Sequence, residues 1–193
     1  MDCALGLVGK GYVMLVTDTT QIRSIVAYKH DEDKIVKLAK RKALATAGEQ
    51  CDRVAFGEYI QKNLALHGLK TDLELSNHAT ANFIRKQLAS SLRSRQGAYS
   101  TFCLYGGVDE EGPALYYLDY LGSLQKTNFA AHGYSSYFAL SVFDLLWKEN
   151  MTIEEGKDLM KKCVEQLKLR FLVNMPNFML KVVTADGITE ETI

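Results

Sequence analysis

Two short segments of the sequence carry apolar residues on both faces of an extended strand. The first is Tyr12 to Val16, and the second is Tyr99 to Tyr105. Aromatic and β-branched residues, which favour strands, recur in both. Because alternate side chains of a strand point to opposite faces, a strand of this kind needs a covering layer on each side. These segments therefore predict sheets that lie in the interior of the molecule.

The order of the predicted elements narrows the fold further. N-terminal strands are followed by two helices, more strands, two more helices and a final strand at Phe178 to Thr184. This order lacks the strand-helix-strand alternation of a doubly wound parallel sheet, and each helix pair has one apolar face. The economical solution is an α+β fold, a four-layer αββα sandwich. The chain has 193 residues, so residues 1–193 are predicted to form a single domain.

Short local signals predict where several elements begin and end. Ser76 is expected to cap the second helix, and the capping box Thr152–Glu155 is expected to open the fourth. Gly68 is predicted to end the first helix, since glycine readily adopts the left-handed conformation. A turn is predicted over Gly106-Gly107 and Asp109 to Pro113, and a single weaker strand at Leu124 to Ala131.

Composition and motifs exclude several classes of function. Lys and Arg number 23, as do Asp and Glu, so the net charge is zero and no basic surface for nucleic acid or anionic membranes is indicated. The sequence contains no P-loop, dinucleotide-binding glycine motif, H-E-x-x-H or G-x-S-x-G. The run His30 to Asp33 is predicted to be an acidic turn, because neighbouring loop residues rarely converge on one ion. We therefore expect neither a metal nor a cofactor.

The cysteines and a basic cluster are predicted to have no catalytic or binding role. The four cysteines lack the spacing of a zinc site, a redox motif or a disulfide framework, and are predicted to be buried free thiols in a reducing compartment. They are Cys3, Cys51, Cys103 and Cys163. The cluster Lys40 to Lys42 is predicted to be a solvated hairpin tip.

Four strings are distinctive when they are taken together with the layered order. They are Glu58-Tyr-Ile-Gln-Lys-Asn63, Glu111-Gly-Pro-Ala-Leu-Tyr-Tyr-Leu-Asp-Tyr-Leu121, Ala130-Ala-His-Gly-Tyr134 and Phe143-Asp144. They resemble strings of the beta-type subunits of the eukaryotic 20S proteasome, and the resemblance runs from Met1 to about Thr189. The third string is typical of the branch at the fourth position of the beta ring. The resemblance implies an N-terminal nucleophile hydrolase fold.

The resemblance also implies which residues correspond to the catalytic groups of active members. In those members an N-terminal threonine attacks the peptide carbonyl with its hydroxyl while its own amine serves as the base. A lysine and an aspartate on nearby strands tune the site, and a serine and a second aspartate support it. Asp18 matches the first aspartate, and Lys34 matches the lysine. These two residues are the retained part of the site.

The remaining positions depart from the active pattern. At the nucleophile position the chain has Met1, Asp2 and Cys3, with neither a threonine nor a preceding glycine. The supporting serine falls at Tyr134, and the second aspartate falls at Phe171. A site without an attacking atom forms no acyl intermediate. Asp18 and Lys34 are then expected to persist as a buried ion pair.

Two functions from different classes follow from these residues. The first is a non-catalytic structural subunit, which the resemblance implies would contact beta-type ring neighbours, its twin across the equator and alpha-type subunits, in the cytoplasm and the nucleus. The second is an enzyme in which removal of Met1 and Asp2 exposes Cys3 as an N-terminal thiol nucleophile, with Lys34 lowering the thiol pKa. Tyr134 and Phe171 argue against the second function.

Overall fold

The computed structural model describes residues 2–95 and 97–193, and its elements are numbered in chain order. The strands are β1 (Cys3–Gly9), β2 (Tyr12–Asp18), β3 (Gln21–Arg23), β4 (Val26–Lys29), β5 (Ile35–Ala39), β6 (Lys42–Gly48), β7 (Thr101–Asp109), β8 (Gly112–Leu118), β9 (Leu124–Thr127), β10 (Phe129–Gly133), β11 (Phe178–Thr184) and β12 (Ile188–Thr192). The helices are α1 (Gln50–Thr71), α2 (Asn77–Ser91), α3 (Ser136–Leu146) and α4 (Ile153–Arg170).

Two antiparallel sheets of five strands stack face to face between two pairs of helices. The first sheet has the order β10-β1-β2-β11-β12, and the second has the order β5-β6-β7-β8-β9. Helices α3 and α4 cover the outer face of the first sheet, and α1 and α2 cover the outer face of the second. A small hairpin, β3 with β4, lies outside both sheets. The predicted αββα sandwich is therefore confirmed.

Three apolar layers hold the four structural layers together. Phe143 and Phe178 are buried between the first sheet and its helices, and Phe56 is buried between the second sheet and its own. The layer between the two sheets contains many small residues, such as Ala4 and Ala45, which let the sheets approach closely. Each large side chain that is fully buried contributes roughly 1.5–3 kcal/mol. No helix of the described part of the chain has the length and apolar character needed to cross a membrane.

Two of the predicted helix starts are confirmed by their hydrogen bonds. The Ser76 hydroxyl accepts a hydrogen bond from the Ala79 N–H at the start of α2. At the start of α4, the Thr152 hydroxyl accepts from the Glu155 N–H, and the Glu155 carboxylate accepts from the Thr152 N–H at 2.8 Å. Both caps satisfy backbone donors that the first helical turn leaves without partners.

The predicted end of the first helix is wrong. Helix α1 continues through Gly68 to Thr71, and Asp72 takes the left-handed conformation with a φ of 56°. The Asp72 N–H donates a hydrogen bond to the Gly68 carbonyl at 2.8 Å. Asparagine and aspartate adopt this conformation more easily than other residues with a side chain, so Asp72 serves as the stop.

The Gly106-Gly107 part of the predicted turn is wrong, because both residues lie inside β7. The part from Asp109 is confirmed, since the chain reverses between Asp109 and Gly112. A Cβ atom at Gly106 would lie 2.7 Å from Val13 Cγ1 of the facing sheet. A Cβ atom at Gly107 would lie 2.2 Å from the Asn77 side-chain oxygen. Glycine is therefore used here for close packing on both faces of the strand rather than for a change of direction.

The segment predicted as one strand at Leu124 to Ala131 forms two. Strand β9 pairs with β8 in the second sheet, whereas β10 pairs with β1 in the first. Asn128 separates the two strands, and its carbonyl accepts a hydrogen bond from the Val8 N–H. The chain thus passes from one sheet to the other at this point, which no residue pattern of the segment reveals. Strand β12 was not expected from the sequence either.

The basic cluster is only partly solvated, so the prediction of a solvated hairpin tip is wrong for Lys42. Lys40 is exposed, but the Lys42 side chain is 3% exposed and forms an ion pair with Glu74. Arg41 also contacts the Glu74 carboxylate, at 3.3 Å. Glu74 belongs to the connection between α1 and α2, which brings the carboxylate to Lys42.

Candidate functional site

The two residues that the resemblance identifies as retained lie at the ends of strands in different sheets. Asp18 is the last residue of β2, and Lys34 directly precedes β5. The Lys34 Nζ lies 2.8 Å from Asp18 Oδ2, and both side chains are fully buried. The buried ion pair expected from the sequence is therefore present. The ion pair joins the end of β2 in the first sheet to the start of β5 in the second.

The Lys34 ammonium has three acceptors within hydrogen-bonding distance. They are Asp2 Oδ1 at 2.6 Å, Asp18 Oδ2 at 2.8 Å and the Thr20 carbonyl at 2.8 Å. An ammonium group carries three N–H donors, so all of its donors are engaged. Lys34 is thereby fixed in place and has no donor left for another molecule.

The Asp18 carboxylate also fixes the backbone around it. Its Oδ1 accepts a hydrogen bond from the Cys3 N–H at 2.8 Å, and its Oδ2 accepts one from the Thr20 N–H at 3.2 Å. Burial raises the pKa of Asp18 because it removes water from the carboxylate, while the charge and hydrogen bond of Lys34 act in the opposite direction. Asp18 therefore anchors the start of β1.

Asp2 occupies the part of this cluster that lies nearest to the surface. Its Oδ1 accepts from Lys34, and its Oδ2 accepts from the Gly48 N–H at 2.9 Å. Burial by itself would raise the pKa of Asp2, but the charge of Lys34 and the hydrogen bonds from Lys34 and Gly48 together lower it. The side chain is 9% exposed. Asp2 is thus an ionised carboxylate held by donors of its own chain.

Gly48, whose N–H donates to Asp2, has an unusual backbone conformation at the end of β6. Its φ is 137°, which residues with a side chain rarely adopt, and a Cβ atom would lie 2.2 Å from the Ser100 carbonyl oxygen. Only glycine fits this position. Gly48 was not predicted as a site residue, since a glycine between a strand and a helix is an ordinary feature.

Arg53 forms a second cationic centre beside Asp2. The residue is buried, and its Nε lies 4.0 Å from Asp2 Oδ2. Its Nη2 donates to Gln21 at 3.2 Å and to Glu32 at 3.4 Å. Arg53 was not predicted as a site residue either. A basic residue in the first turn of a helix is disfavoured by the helix dipole, and this was the one signal that could have singled it out.

Tyr134 and Phe171 contact each other rather than the ion pair. Their ring centroids lie 5.5 Å apart at an interplanar angle of 32°, and the Phe138 ring lies 6.2 Å from Phe171. Tyr134 follows β10, and Phe171 caps the C-terminus of α4. Among the described residues, no side-chain hydrogen bond joins either one to Asp18 or Lys34. Their correspondence to the supporting serine and aspartate stays a prediction.

Cys3 is poorly suited to nucleophilic attack in this structure. Its side chain is buried, and its Sγ lies 3.6 Å from the Met175 sulfur. Burial, and then the nearby charge of Asp18, raise the pKa of the Cys3 thiol to about 12. Cys103 and Cys163 are buried as predicted, whereas Cys51 is exposed at the start of α1, contrary to the prediction.

The acidic residues before β5 contact cations of the chain instead of sharing one ion. Glu32 contacts both Lys29, at 3.1 Å, and Arg53. Asp31 lies 3.6 Å from Lys29, and Asp33 forms an ion pair with Lys181. Three cationic side chains therefore contact these carboxylates, and Lys29 contacts both Asp31 and Glu32.

Comparison with known proteins identifies the family. A model of the family described as proteasome subunit matches residues 2–183. The chain belongs to the proteasome subunit family. Its beta-type relatives include proteasome subunit beta type-2 of Dictyostelium discoideum, which is 45% identical over 192 residues that cover 97% of this chain and 96% of the relative. This beta subunit therefore has the N-terminal nucleophile hydrolase fold that the resemblance implied.

Relatives from other lineages carry two different names. Proteasome subunit beta type-2-B of Arabidopsis thaliana is 42% identical over 191 residues, which are 98% of this chain and 95% of the relative. Proteasome subunit beta type-4 of Saccharomyces cerevisiae is 38% identical over 192 residues, which are 98% of this chain and 96% of the relative. The resemblance to beta-type proteasome subunits that the sequence strings indicated is confirmed.

Proposed function

We propose that this beta subunit is a non-catalytic structural member of the 20S proteasome core particle. The observation that carries the proposal is the Asp2 carboxylate, which accepts hydrogen bonds from both Lys34 and Gly48. The resemblance implies that an active subunit has a threonine hydroxyl as the attacking group at this end of the chain. Here the corresponding end carries a carboxylate that is already bound to the donors around it.

This arrangement lacks both a nucleophile for acyl transfer and a free donor on Lys34 to stabilise the oxyanion. Asp2 offers neither a hydroxyl nor a thiol, and a carboxylate that is ionised and paired with Lys34 is a weak nucleophile toward a peptide carbonyl. The three donors of Lys34 are engaged with acceptors of the chain, so they do not stabilise a developing oxyanion. An aromatic ring at Phe171 cannot take the part of a supporting carboxylate.

The alternative function, a hydrolase that uses Cys3 after removal of Met1 and Asp2, has less support. The Cys3 thiol is buried, and its raised pKa disfavours the thiolate that would attack. Removal of Asp2 would also take away one acceptor of Lys34 and the acceptor of the Gly48 N–H.

As a structural subunit, the chain would contribute surfaces to the particle. We propose that it completes the beta ring between two beta-type neighbours, faces its twin across the equator, contacts the alpha ring and supports ubiquitin-dependent protein degradation in the cytoplasm and the nucleus. Large apolar side chains on its surface support burial in an assembly. They include Ile25, Tyr28, Tyr137, Leu145, Leu169 and Leu172.

Mass spectrometry of the particle purified from cells tests both parts of the proposal. Native spectra are expected to place the chain in a particle that contains alpha-type and beta-type subunits. An electrophile that acylates the active beta subunits is expected to leave this chain unmodified, and the labelled neighbours serve as the internal control. A chain that behaves as a free monomer would contradict the assembly, and labelling at Cys3 would contradict the non-catalytic role.

A pair of cysteine variants separates the two functions in the assembled particle. Cys3→Ala is expected to leave every peptidase activity of the particle at its original level, because Cys3 is not a nucleophile in our proposal. Cys163→Ala, at another buried cysteine, controls for the effect of an emptied thiol position. Loss of one peptidase activity in Cys3→Ala but not in Cys163→Ala would establish the alternative function.

A further inference from the structure

The side chain of Asp2 fills a small group of donors that the rest of the chain holds in place. Lys34 is fully buried and is fixed by Asp18 and Thr20 as well as by Asp2. Gly48 is fixed by its backbone conformation. These donors therefore keep their positions through contacts that do not involve Asp2.

Arg53 adds an independent sign that this group of donors suits an anion. The residue is 2% exposed, and its Nε has no hydrogen-bond partner among the described residues. This nitrogen forms an ion pair with Asp2, whose Oδ2 lies 4.0 Å away. A buried guanidinium nitrogen without a partner is costly, and it faces the same carboxylate that Lys34 and Gly48 bind.

We propose that Lys34, Gly48 and Arg53 form a binding site for a carboxylate anion, that Asp2 of the same chain occupies it, and that the site accepts a small free carboxylate when residue 2 is shortened. The chemistry is a close match, because acetate has the same carboxylate and adjoining carbon as an aspartate side chain. The inference concerns the donors themselves and does not depend on the place of the subunit in a ring.

The position of Asp2 near the surface and the loss of an acceptor in a shortened variant both favour the binding of a free carboxylate. The Asp2 side chain is 9% exposed whereas that of Lys34 is fully buried, so residue 2 is the member of the ion pair that borders on solvent. In an Asp2→Gly variant, one donor of the buried Lys34 ammonium and the Gly48 N–H would lose their acceptor. A buried charged donor without an acceptor is more costly than one that regains a partner, and this difference drives the binding of the anion.

Hydrogen exchange measured by mass spectrometry on the assembled full-length chain tests the proposal. In sodium chloride, the amide of Gly48 is expected to exchange on the order of tenfold faster in Asp2→Gly than in the unaltered chain, since a hydrogen bond to a charged group is lost. Sodium acetate at the same ionic strength is expected to restore slow exchange in Asp2→Gly. A structure of the variant in acetate is expected to show the anion within hydrogen-bonding distance of Lys34 and Gly48.

Two further variants supply the controls. Asp2→Asn keeps the shape of the side chain, so acetate cannot enter and is expected to have no effect on exchange at Gly48. Glu190→Gly removes a carboxylate from an exposed ion pair with Lys37, and acetate is expected to change nothing there. Should Asp2→Gly fail to assemble, Asp2→Ala also leaves Lys34 and Gly48 without their acceptor and is expected to respond to acetate in the same way.

Three results would overturn the proposal. The first is exchange at Gly48 that is as slow in Asp2→Gly as in the unaltered chain in chloride. The second is an acetate effect of equal size in Asp2→Gly and Asp2→Asn. The third is exchange at Gly48 in Asp2→Gly that is equally fast in acetate and in chloride, which would show that no carboxylate binds there.

Discussion

His132 is expected to make the stability of this beta subunit fall steeply between pH 6.5 and pH 4. The residue lies in β10 of the first sheet, and its Nε2 donates a hydrogen bond to the Cys103 carbonyl of β7 in the second. Its ring stacks on Tyr117 with centroids 4.1 Å apart. Burial lowers the pKa of His132 from 6.5 to about 4, although the hydrogen bond to Cys103 acts in the opposite direction.

The sign and size of the effect follow from this difference. The unfolded chain binds a proton at His132 near pH 6.5, whereas the folded chain resists protonation until about pH 4, so the unfolded state gains the proton first as the pH falls. The free energy of unfolding therefore decreases through this range. Each unit of pKa corresponds to about 1.36 kcal/mol, so the total decrease from His132 is about 3 kcal/mol.

A non-titrating variant isolates this contribution. His132→Gln retains an N–H donor for the Cys103 carbonyl but does not bind a proton in this range, so its free energy of unfolding is expected to fall about 3 kcal/mol less than that of the unaltered chain. Urea unfolding of the full chain at dilute concentration, followed by the fluorescence of the single tryptophan, Trp147, measures both. The exposed His78 provides the matched control His78→Gln, which is expected to follow the unaltered chain. Parallel pH profiles for the unaltered chain and His132→Gln would refute the reasoning.

Three other predictions use the same unfolding measurement. Lys34→Met leaves two carboxylates without their cation and is expected to cost about 3–5 kcal/mol; a cost below about 1 kcal/mol would contradict the account of the ion pair. Gly107→Ala forces a Cβ atom against the Asn77 side chain and is expected to lower the free energy of unfolding by roughly 1–3 kcal/mol. Gly68→Ala lies in helix α1, where no atom is close enough to meet the new Cβ atom, and is expected to raise it by roughly 0.5–1 kcal/mol. Equal effects of the two substitutions would contradict this difference in packing. Thr152→Ala removes the capping box and is expected to cost about 1 kcal/mol, and an unchanged stability would show that the cap is dispensable.

The sequence by itself determined the layers and several of their boundaries. Apolar residues on both faces at Tyr12 to Val16 predict an interior strand, and the caps at Ser76 and Thr152 are set by residues three positions apart. Such signals are local, because the groups that satisfy one another are close in the chain. The resemblance to known subunits, rather than any spacing, brought Asp18 and Lys34 together before the structure did.

Only the tertiary structure decided the features that depend on distant parts of the chain. Gly107 reads as a turn residue until the facing Asn77 shows why a side chain is excluded there. Lys42 reads as a solvated cation until the connection between the helices brings Glu74 to it. The donors around Asp2 come from the end of β6, the start of α1 and the residue before β5, and no local pattern joins them. These donors lie close together because the two sheets pack on each other. The burial of apolar surface fixes the positions of the strand ends, and these in turn fix the positions of the charged side chains.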